Sequence, residues 1–166
     1  GILHSLATLR TSHPDFKFCM KFIGGSNTER LSKLRTYAAS LGLSEPCITF
    51  SGPLPLEEVA ENMKQADALI LFSRKENFPC VIAEAWASGI PVITTDVGGI
   101  AEHIPEGCGR GVLINADDES HLRGAVLEMG SEAGFDKEKI RKYAIDNFSV
   151  EAVASEYDKV YREAFL

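Results

Sequence analysis

Apolar positions along this chain change between a two-residue and a three- to four-residue period, and this change predicts alternating strands and helices. Apolar residues at every second position from Phe16 to Phe22 predict a strand, and the unbroken apolar run at 68–72 predicts a strand buried on both faces. Further strands are predicted at 47–51, 91–95 and 111–115. Apolar stripes with helical spacing predict helices at 1–11, 31–41, 56–66, 118–130, 137–147 and 150–165. The alternation predicts an α/β fold with a doubly wound, mostly parallel, Rossmann-like sheet flanked by helices.

The strand count suggests that one central strand lies outside this sequence. In the doubly wound order 3-2-1-4-5-6, strands 1 and 4 are neighbours, and ligands bind where they meet. Here the first predicted strand, 16–23, follows a helix and takes the place of strand 2. The later strands then take places 3 to 6, and place 1 is unfilled. We expect residues 1–166 to be an excerpt of a longer chain, and a sheet that closes differently is the alternative.

The candidate chemistry lies between the buried strand at 68–72 and the strand that follows it. Pro79 suits the first position of a helix, and Gly89 suits the position just after its end. Glu76 lies in the preceding loop, and Glu84 lies about a turn and a half inside the helix. A helix that begins at the carboxyl end of a parallel strand directs free N–H groups at one point, which suits a phosphate. Carboxylates accept hydrogen bonds from sugar hydroxyls. The pattern therefore indicates a sugar attached to phosphate.

These residues resemble the retaining glycosyltransferases of family 4. The resemblance rests on Glu76-x7-Glu84 together with three flanking segments: Asn77-Phe78-Pro79, Ala85-Trp86-Ala87-Ser88-Gly89-Ile90-Pro91, and Asp96-Val97-Gly98-Gly99-Ile100-Ala101-Glu102. It covers nearly the whole chain, from Gly24-Gly25 to Tyr157. Family 4 enzymes have the two-domain GT-B fold, and this chain resembles their C-terminal, donor-binding domain. The resemblance implies transfer of a sugar from a nucleotide diphosphate donor, with retained anomeric configuration, to an acceptor held by an N-terminal domain outside this sequence.

The resemblance also assigns roles to individual residues. Glu84 would bind the ribose hydroxyls, and Glu76, the catalytic residue of the set, would bind the donor sugar. The loop and first helical turn would contact the sugar and diphosphate, and glycine-containing turns after the first two strands would contact the ligand and its base. The remaining donor-binding set is Asn77, Phe78, Pro79, Cys80, Val81, Gly24, Gly52, Pro53 and Leu54. For the last four, a simple turn is the alternative. For Glu84 the alternative is a carboxylate on a solvated helix face, but its apolar neighbours in the sequence favour partial burial.

Composition and charge limit the classes of molecule that the protein is expected to bind. A net charge of −7 disfavours nucleic acid, whose phosphates need a basic surface. The four cysteines form no Cys-x-x-Cys pair, the histidines share no ligand spacing and there is no Asp-x-Asp pair, so we expect neither a metal nor a cofactor. His103 is expected at the surface. The expected partners are a nucleotide diphosphate sugar, UDP- or GDP-linked, and an acceptor glycan or glycolipid.

We expect a cytoplasmic location, with peripheral association of the full-length protein with a membrane surface as the alternative. No apolar run in the sequence approaches the length of a membrane span. Two alternatives to a transferase are a nucleotide-sugar epimerase of the same fold and a non-catalytic module that binds nucleotide sugars. The products formed by the full-length protein distinguish the three.

Overall fold

The computed structural model describes residues 1–25, 27–131 and 135–165 of the chain. Strands and helices alternate as the sequence predicts. The strands are β1 (Met20–Ile23), β2 (Ile48–Gly52), β3 (Leu69–Leu71), β4 (Val92–Thr95) and β5 (Gly111–Ile114). The helices are α1 (Ile2–Ser12), α2 (Thr28–Ser40), α3 (Leu56–Gln65), α4 (Cys80–Ala87), α5 (Glu119–Gly130), α6 (Lys137–Phe148) and α7 (Val150–Ala164), and a short 3₁₀ helix spans Ile100–His103. The sequence did not predict this 3₁₀ helix.

In the described ranges all strand pairs are parallel, and the strands form two sheets. β1 pairs with β2, and β3, β4 and β5 pair in that order. Within the described residues, β1 and β3 each have one edge without a strand partner. β1 begins four residues later than predicted, because its first residue, Met20, pairs with Ile48, the first residue of β2. The predicted parallel α/β fold is confirmed, with its sheet in two parts.

Helices cover both faces of the strands, which gives two apolar clusters. Ile93 and Ile114 point to one face and pack with buried leucines of α1 and α5. Val92 points to the opposite face and packs with Ile82 and Trp86 of α4 and with residues of α6. Burying each such side chain contributes about 1.5–3 kcal/mol. The alternation along β4 therefore fixes α4 on one side of the sheet and places the start of α4 at the carboxyl end of β3.

Helix α7 differs from the others because none of its residues is buried. It carries a stripe of exposed apolar side chains that continues just past its end: Val150, Val153, Tyr157, Val160, Tyr161 and Phe165. In the described part of the chain, no helix combines the length and the apolar character needed to cross a membrane. The stripe is therefore a feature of the protein surface.

Candidate functional site

The Glu76 loop, residues 73–79, connects β3 to α4. Glu76 is half-buried, and its Oε1 accepts a hydrogen bond from Ser73 Oγ at 2.8 Å. The carbonyl of Ser73 in turn accepts from Thr95 Oγ1, at the end of β4, at 2.6 Å. Because Thr95 is fully buried, the ends of both strands fix this arrangement. The structure thus holds the carboxylate of Glu76 at the carboxyl edge of the three-stranded sheet.

The turn after β4 packs directly on the backbone of the Glu76 loop. Gly99 N–H donates to the Asn77 carbonyl at 2.8 Å. Gly98 has φ 62°, and a Cβ there would lie 2.2 Å from the Glu76 carbonyl oxygen and 2.6 Å from that of Asn77. Only glycine allows this approach together with this backbone conformation. Two loops therefore form one rim.

Helix α4 begins at this rim with free donors. Pro79 is the residue before the helix, one position earlier than predicted, and its carbonyl accepts from Ile82 N–H at 3.0 Å. Among the described residues, nothing accepts a hydrogen bond from the N–H groups of Phe78, Cys80 or Val81. These groups and the positive end of the helix dipole suit an anion. Gly89, with φ 78°, ends the helix as predicted.

The partial burial predicted for Glu84 is wrong, because this side chain is exposed. It lies on the same face of α4 as Cys80 and Ala87, which are also exposed. The buried residues of the helix, Ile82, Ala85 and Trp86, occupy the other faces. Neighbours in sequence are about 100° apart around a helix, so they need not surround a side chain in space. The carboxylate of Glu84 is therefore free to meet a ligand, on the same helix face as Cys80.

The predicted glycine turns lie together on the other sheet. Gly24 N–H donates to the Gly52 carbonyl at 2.8 Å, and both glycines have positive φ, 109° and 73°. Pro53 is exposed and Leu54 is half-buried. Gly24 and Gly52 lie at the carboxyl ends of β1 and β2. The structure thus divides the predicted site residues into two groups, one at the rim of each sheet.

Helix α1 also begins at the carboxyl end of the strands. A Cβ on Gly1, the residue before α1, would lie 2.8 Å from the Phe72 ring, just after β3. Two helices, α1 and α4, therefore direct their N-termini toward the same rim. Their partial positive charges add at this edge.

Sequence reasoning missed an aromatic cluster that supports the Glu76 loop. The Phe78 ring stacks on Phe148 with 5.1 Å between centroids and contacts the His103 ring at 4.7 Å. The surface position predicted for His103 is wrong, because this imidazole is half-buried against Phe78. Phe148 lies 70 positions further along the chain, so no local pattern could have shown these contacts. The side chain of Phe78 is thus engaged inside the protein, which leaves its backbone for a ligand.

Charged side chains at the rim are exposed. Arg74 Nε donates to Asp117 Oδ1 at 2.8 Å, and this hydrogen bond raises the pKa of the arginine. Asp117 lies after β5 and has φ 59°.

In the described ranges, no three His, Cys, Asp or Glu side chains gather closely enough to hold a metal ion. The expectation that no metal takes part remains a prediction.

Comparison with known proteins identifies the family. The family of group 1 glycosyl transferases matches residues 2–132. The D-inositol 3-phosphate glycosyltransferase of Corynebacterium jeikeium (strain K411) is 30% identical over 168 residues, which cover 98% of this chain and 39% of that protein. The N-acetyl-alpha-D-glucosaminyl L-malate synthase of Bacillus anthracis is 32% identical over 108 residues, which cover 63% of this chain and 28% of that protein. The chain thus spans well under half the length of these relatives.

Solved structures support the same assignment. Sucrose-phosphate synthase from Thermosynechococcus elongatus superposes with a TM-score of 0.80 at 25% identity and covers 98% of this chain and 42% of its own. Anabaena HepE in complex with UDP has a TM-score of 0.79 at 20% identity over 97% of this chain and 44% of its own, which shows the fold alone. The fold class and the resemblance predicted from the sequence are both confirmed. The chain belongs to the group 1 glycosyl transferases.

Proposed function

We propose that this chain is the donor-binding half of a retaining glycosyltransferase that uses a nucleotide diphosphate sugar. The carrying observation is the rim of the three-stranded sheet. There, the half-buried carboxylate of Glu76 lies in the loop that leads directly to the free N–H groups of Phe78, Cys80 and Val81. A carboxylate beside free N–H donors matches a ligand that has both sugar hydroxyls and phosphates.

The proposed roles follow from the position of each group. The N–H groups and the start of α4 bind the diphosphate and stabilise the negative charge that develops on it as it leaves. Glu76, fixed by Ser73, accepts hydrogen bonds from the donor sugar. Glu84, exposed further along the helix, accepts from the ribose hydroxyls. Catalysis is then mainly electrostatic, since the groups are already in place before the sugar–phosphate bond breaks.

The proposed donor is a UDP- or GDP-linked sugar. HepE, which shares the fold, was solved with UDP and also with UDP and glucose. On the β1–β2 sheet, the turns at Gly24 and 52–54 offer backbone atoms to the base, and the Gly24–Gly52 hydrogen bond holds the two turns together. Asn77 and Pro79 act by setting the backbone of the Glu76 loop.

We also propose that residues 1–166 are one domain of a longer protein. Three features support this: the relatives are more than twice as long as the matched region, β1 and β3 have free edges, and α7 exposes an apolar stripe. A further parallel strand between β1 and β3 would join the two sheets in the doubly wound order. The other domain would bind the acceptor, a glycan or a glycolipid, in the cytoplasm or at its membrane surface.

Product analysis of the full-length protein tests the function. The protein is incubated with UDP- and GDP-sugars and candidate acceptors, and the anomeric configuration of the product is determined by NMR. We expect transfer with retained configuration. Epimerised donor without transfer would instead assign an epimerase, and nucleotide-sugar binding without any turnover would assign a binding module.

A further inference from the structure

One segment, residues 98–103, contacts the Glu76 loop at two separate places. At its start, Gly98 and Gly99 pack on the backbone of Glu76 and Asn77, and the Gly99 N–H donates to the Asn77 carbonyl. At its end, the ring of His103 packs on the ring of Phe78 at 4.7 Å. The segment therefore contacts the backbone of Glu76 and Asn77 and also the side chain of Phe78, the residue that follows them.

Side chains from outside the rim hold this segment in turn. His103 Nδ1 is hydrogen-bonded to the Tyr143 hydroxyl of α6 at 2.9 Å. Arg110 Nε donates to the His103 carbonyl at 2.7 Å, and its guanidinium lies over the Tyr143 ring, 3.6 Å from the centroid. A cation over an aromatic face is favourable when partly desolvated. Thus His103 is fixed through both its side chain and its backbone.

We propose that Tyr143 and His103 are positioning residues for sugar transfer. Their hydrogen bond keeps residues 98–103 against the Glu76 loop, which aims the carboxylate of Glu76 at the donor sugar. Neither side chain touches the donor itself. This inference rests on the proposed function for its kinetic part, whereas its structural part holds for the protein without substrate.

Tyr143 gives the sharper test, because Tyr143→Phe removes only the hydroxyl and leaves the ring to pack against Trp86, 5.6 Å away, and under Arg110. Tyr37→Phe is the matched control, since Tyr37 is exposed on α2 and lies outside the aromatic cluster. His103→Ala and His103→Asn form a second pair. The amide of asparagine can still form a hydrogen bond with the Tyr143 hydroxyl. His103→Asn should therefore lower kcat less than His103→Ala does.

Kinetics of the full-length protein should separate positioning from general stability. Tyr143→Phe is expected to lower kcat roughly three- to tenfold, the range for one lost hydrogen bond, with affinity for UDP unchanged. The affinity is spared because Glu84 and the N–H groups of the first helical turn belong to α4, which Ile82 and Ala85 anchor independently. Unchanged kcat in Tyr143→Phe, or equal loss of kcat and UDP affinity, would overturn the proposal.

Amide hydrogen exchange tests the structural part without any turnover. In Tyr143→Phe, the Gly99 amide should exchange roughly three- to tenfold faster, because its bond to Asn77 opens more often. Tyr37→Phe should leave it unchanged. If the wild-type protein transfers no sugar, the proposed function fails while this exchange result still decides whether the Tyr143–His103 bond holds the loop. An unchanged Gly99 rate in Tyr143→Phe would contradict it.

Discussion

The two sheets of this molecule are packed to different degrees. In the three-stranded sheet every residue of β4 is buried, and Ile82, Ala85 and Trp86 of the adjoining α4 are fully enclosed. In the two-stranded sheet no residue of β1 is fully buried, β2 buries three of its five residues, and the adjoining α2 buries only Ala38. Strands of parallel sheets are normally covered on both faces. The sheet that carries Glu76 is therefore the better packed of the two, because it contains a strand, β4, that is buried along its whole length.

This difference matches the division of roles proposed for the site residues. Groups that must be placed accurately, such as Glu76, lie on the well-packed sheet, where each is fixed by contacts to buried residues. The turns at Gly24 and Gly52 offer backbone atoms from the less enclosed sheet. We expect the two sheets to become more alike once a further strand pairs with the free edges of β1 and β3. Substitutions on each sheet test this contrast.

The largest effect is expected at Glu76. Glu76→Gln keeps the shape of the side chain but removes the charge beside the transferred sugar, so kcat should fall roughly 10²–10³-fold, as when one preorganised electrostatic group is lost. Steady-state kinetics of the full-length protein measures it. Glu58→Gln, an exposed glutamate of α3, is the control and should leave kcat unchanged. Similar kcat in both variants would remove Glu76 from the reaction.

Matched glycine substitutions compare the rims of the two sheets. In Gly98→Ala, the new Cβ would clash with the Glu76 carbonyl, and φ is positive, so the free energy of unfolding should fall by about 3 kcal/mol or more. Gly24→Ala has positive φ but open space around it, and about 1–2 kcal/mol is expected. Urea unfolding gives both values. Equal losses would show that the two rims are packed alike.

Acid should weaken the helices of the well-packed sheet first. Asp118 and Asp136 cap α5 and α6, and hydrogen bonds from backbone N–H groups lower the pKa of both carboxyls. Their stabilisation is thus full above the unfolded-state pKa, about 3.9, and is lost as the pH falls through the lower folded-state values. The α2 cap, Asn27, does not titrate.

Reciprocal substitutions test this assignment. Asp118→Asn and Asp136→Asn should flatten the loss of stability below about pH 4, since asparagine caps a helix without titrating. Asn27→Asp should make that loss steeper. Unfolding midpoints measured across the acid range provide the comparison. An unchanged pH dependence in all three variants would contradict the role given to the caps.

The smallest effect is expected from a chelator. The proposed site neutralises the diphosphate with N–H groups and helix N-termini on the well-packed sheet, and the sequence has no Asp-x-Asp pair for a divalent ion. The full-length protein should keep most of its activity in excess chelator. Activity that is abolished by the chelator and restored by magnesium or manganese would contradict this.

The sequence predicted what depends on local pattern and turn chemistry. The order of strands and helices, the parallel strands and the end of α4 at Gly89 are all confirmed. These features follow from apolar periodicity and from glycine and proline, which act within a few residues.

What the sequence did not predict depends on contacts between distant segments. β1 is shorter than the strand that the alternating pattern from Phe16 predicts, because its pairing with β2 begins only at Met20 and Ile48. The position of His103 is set by Phe78, Tyr143 and Phe148, which come from two other elements. The exposure of Glu84 follows from which face of α4 meets the core. Such contacts leave no local signal.

Calorimetric titration of the full-length protein with UDP and GDP tests the central claim, the division of labour between the two acids at the rim. Glu84→Ala should weaken nucleotide binding roughly ten- to a hundredfold, because a charge-assisted hydrogen bond to ribose is lost. Glu76→Ala should leave free-nucleotide affinity unchanged, since its proposed contact is to the sugar. Equal loss of nucleotide affinity in the two variants, or no loss in Glu84→Ala, would contradict the account.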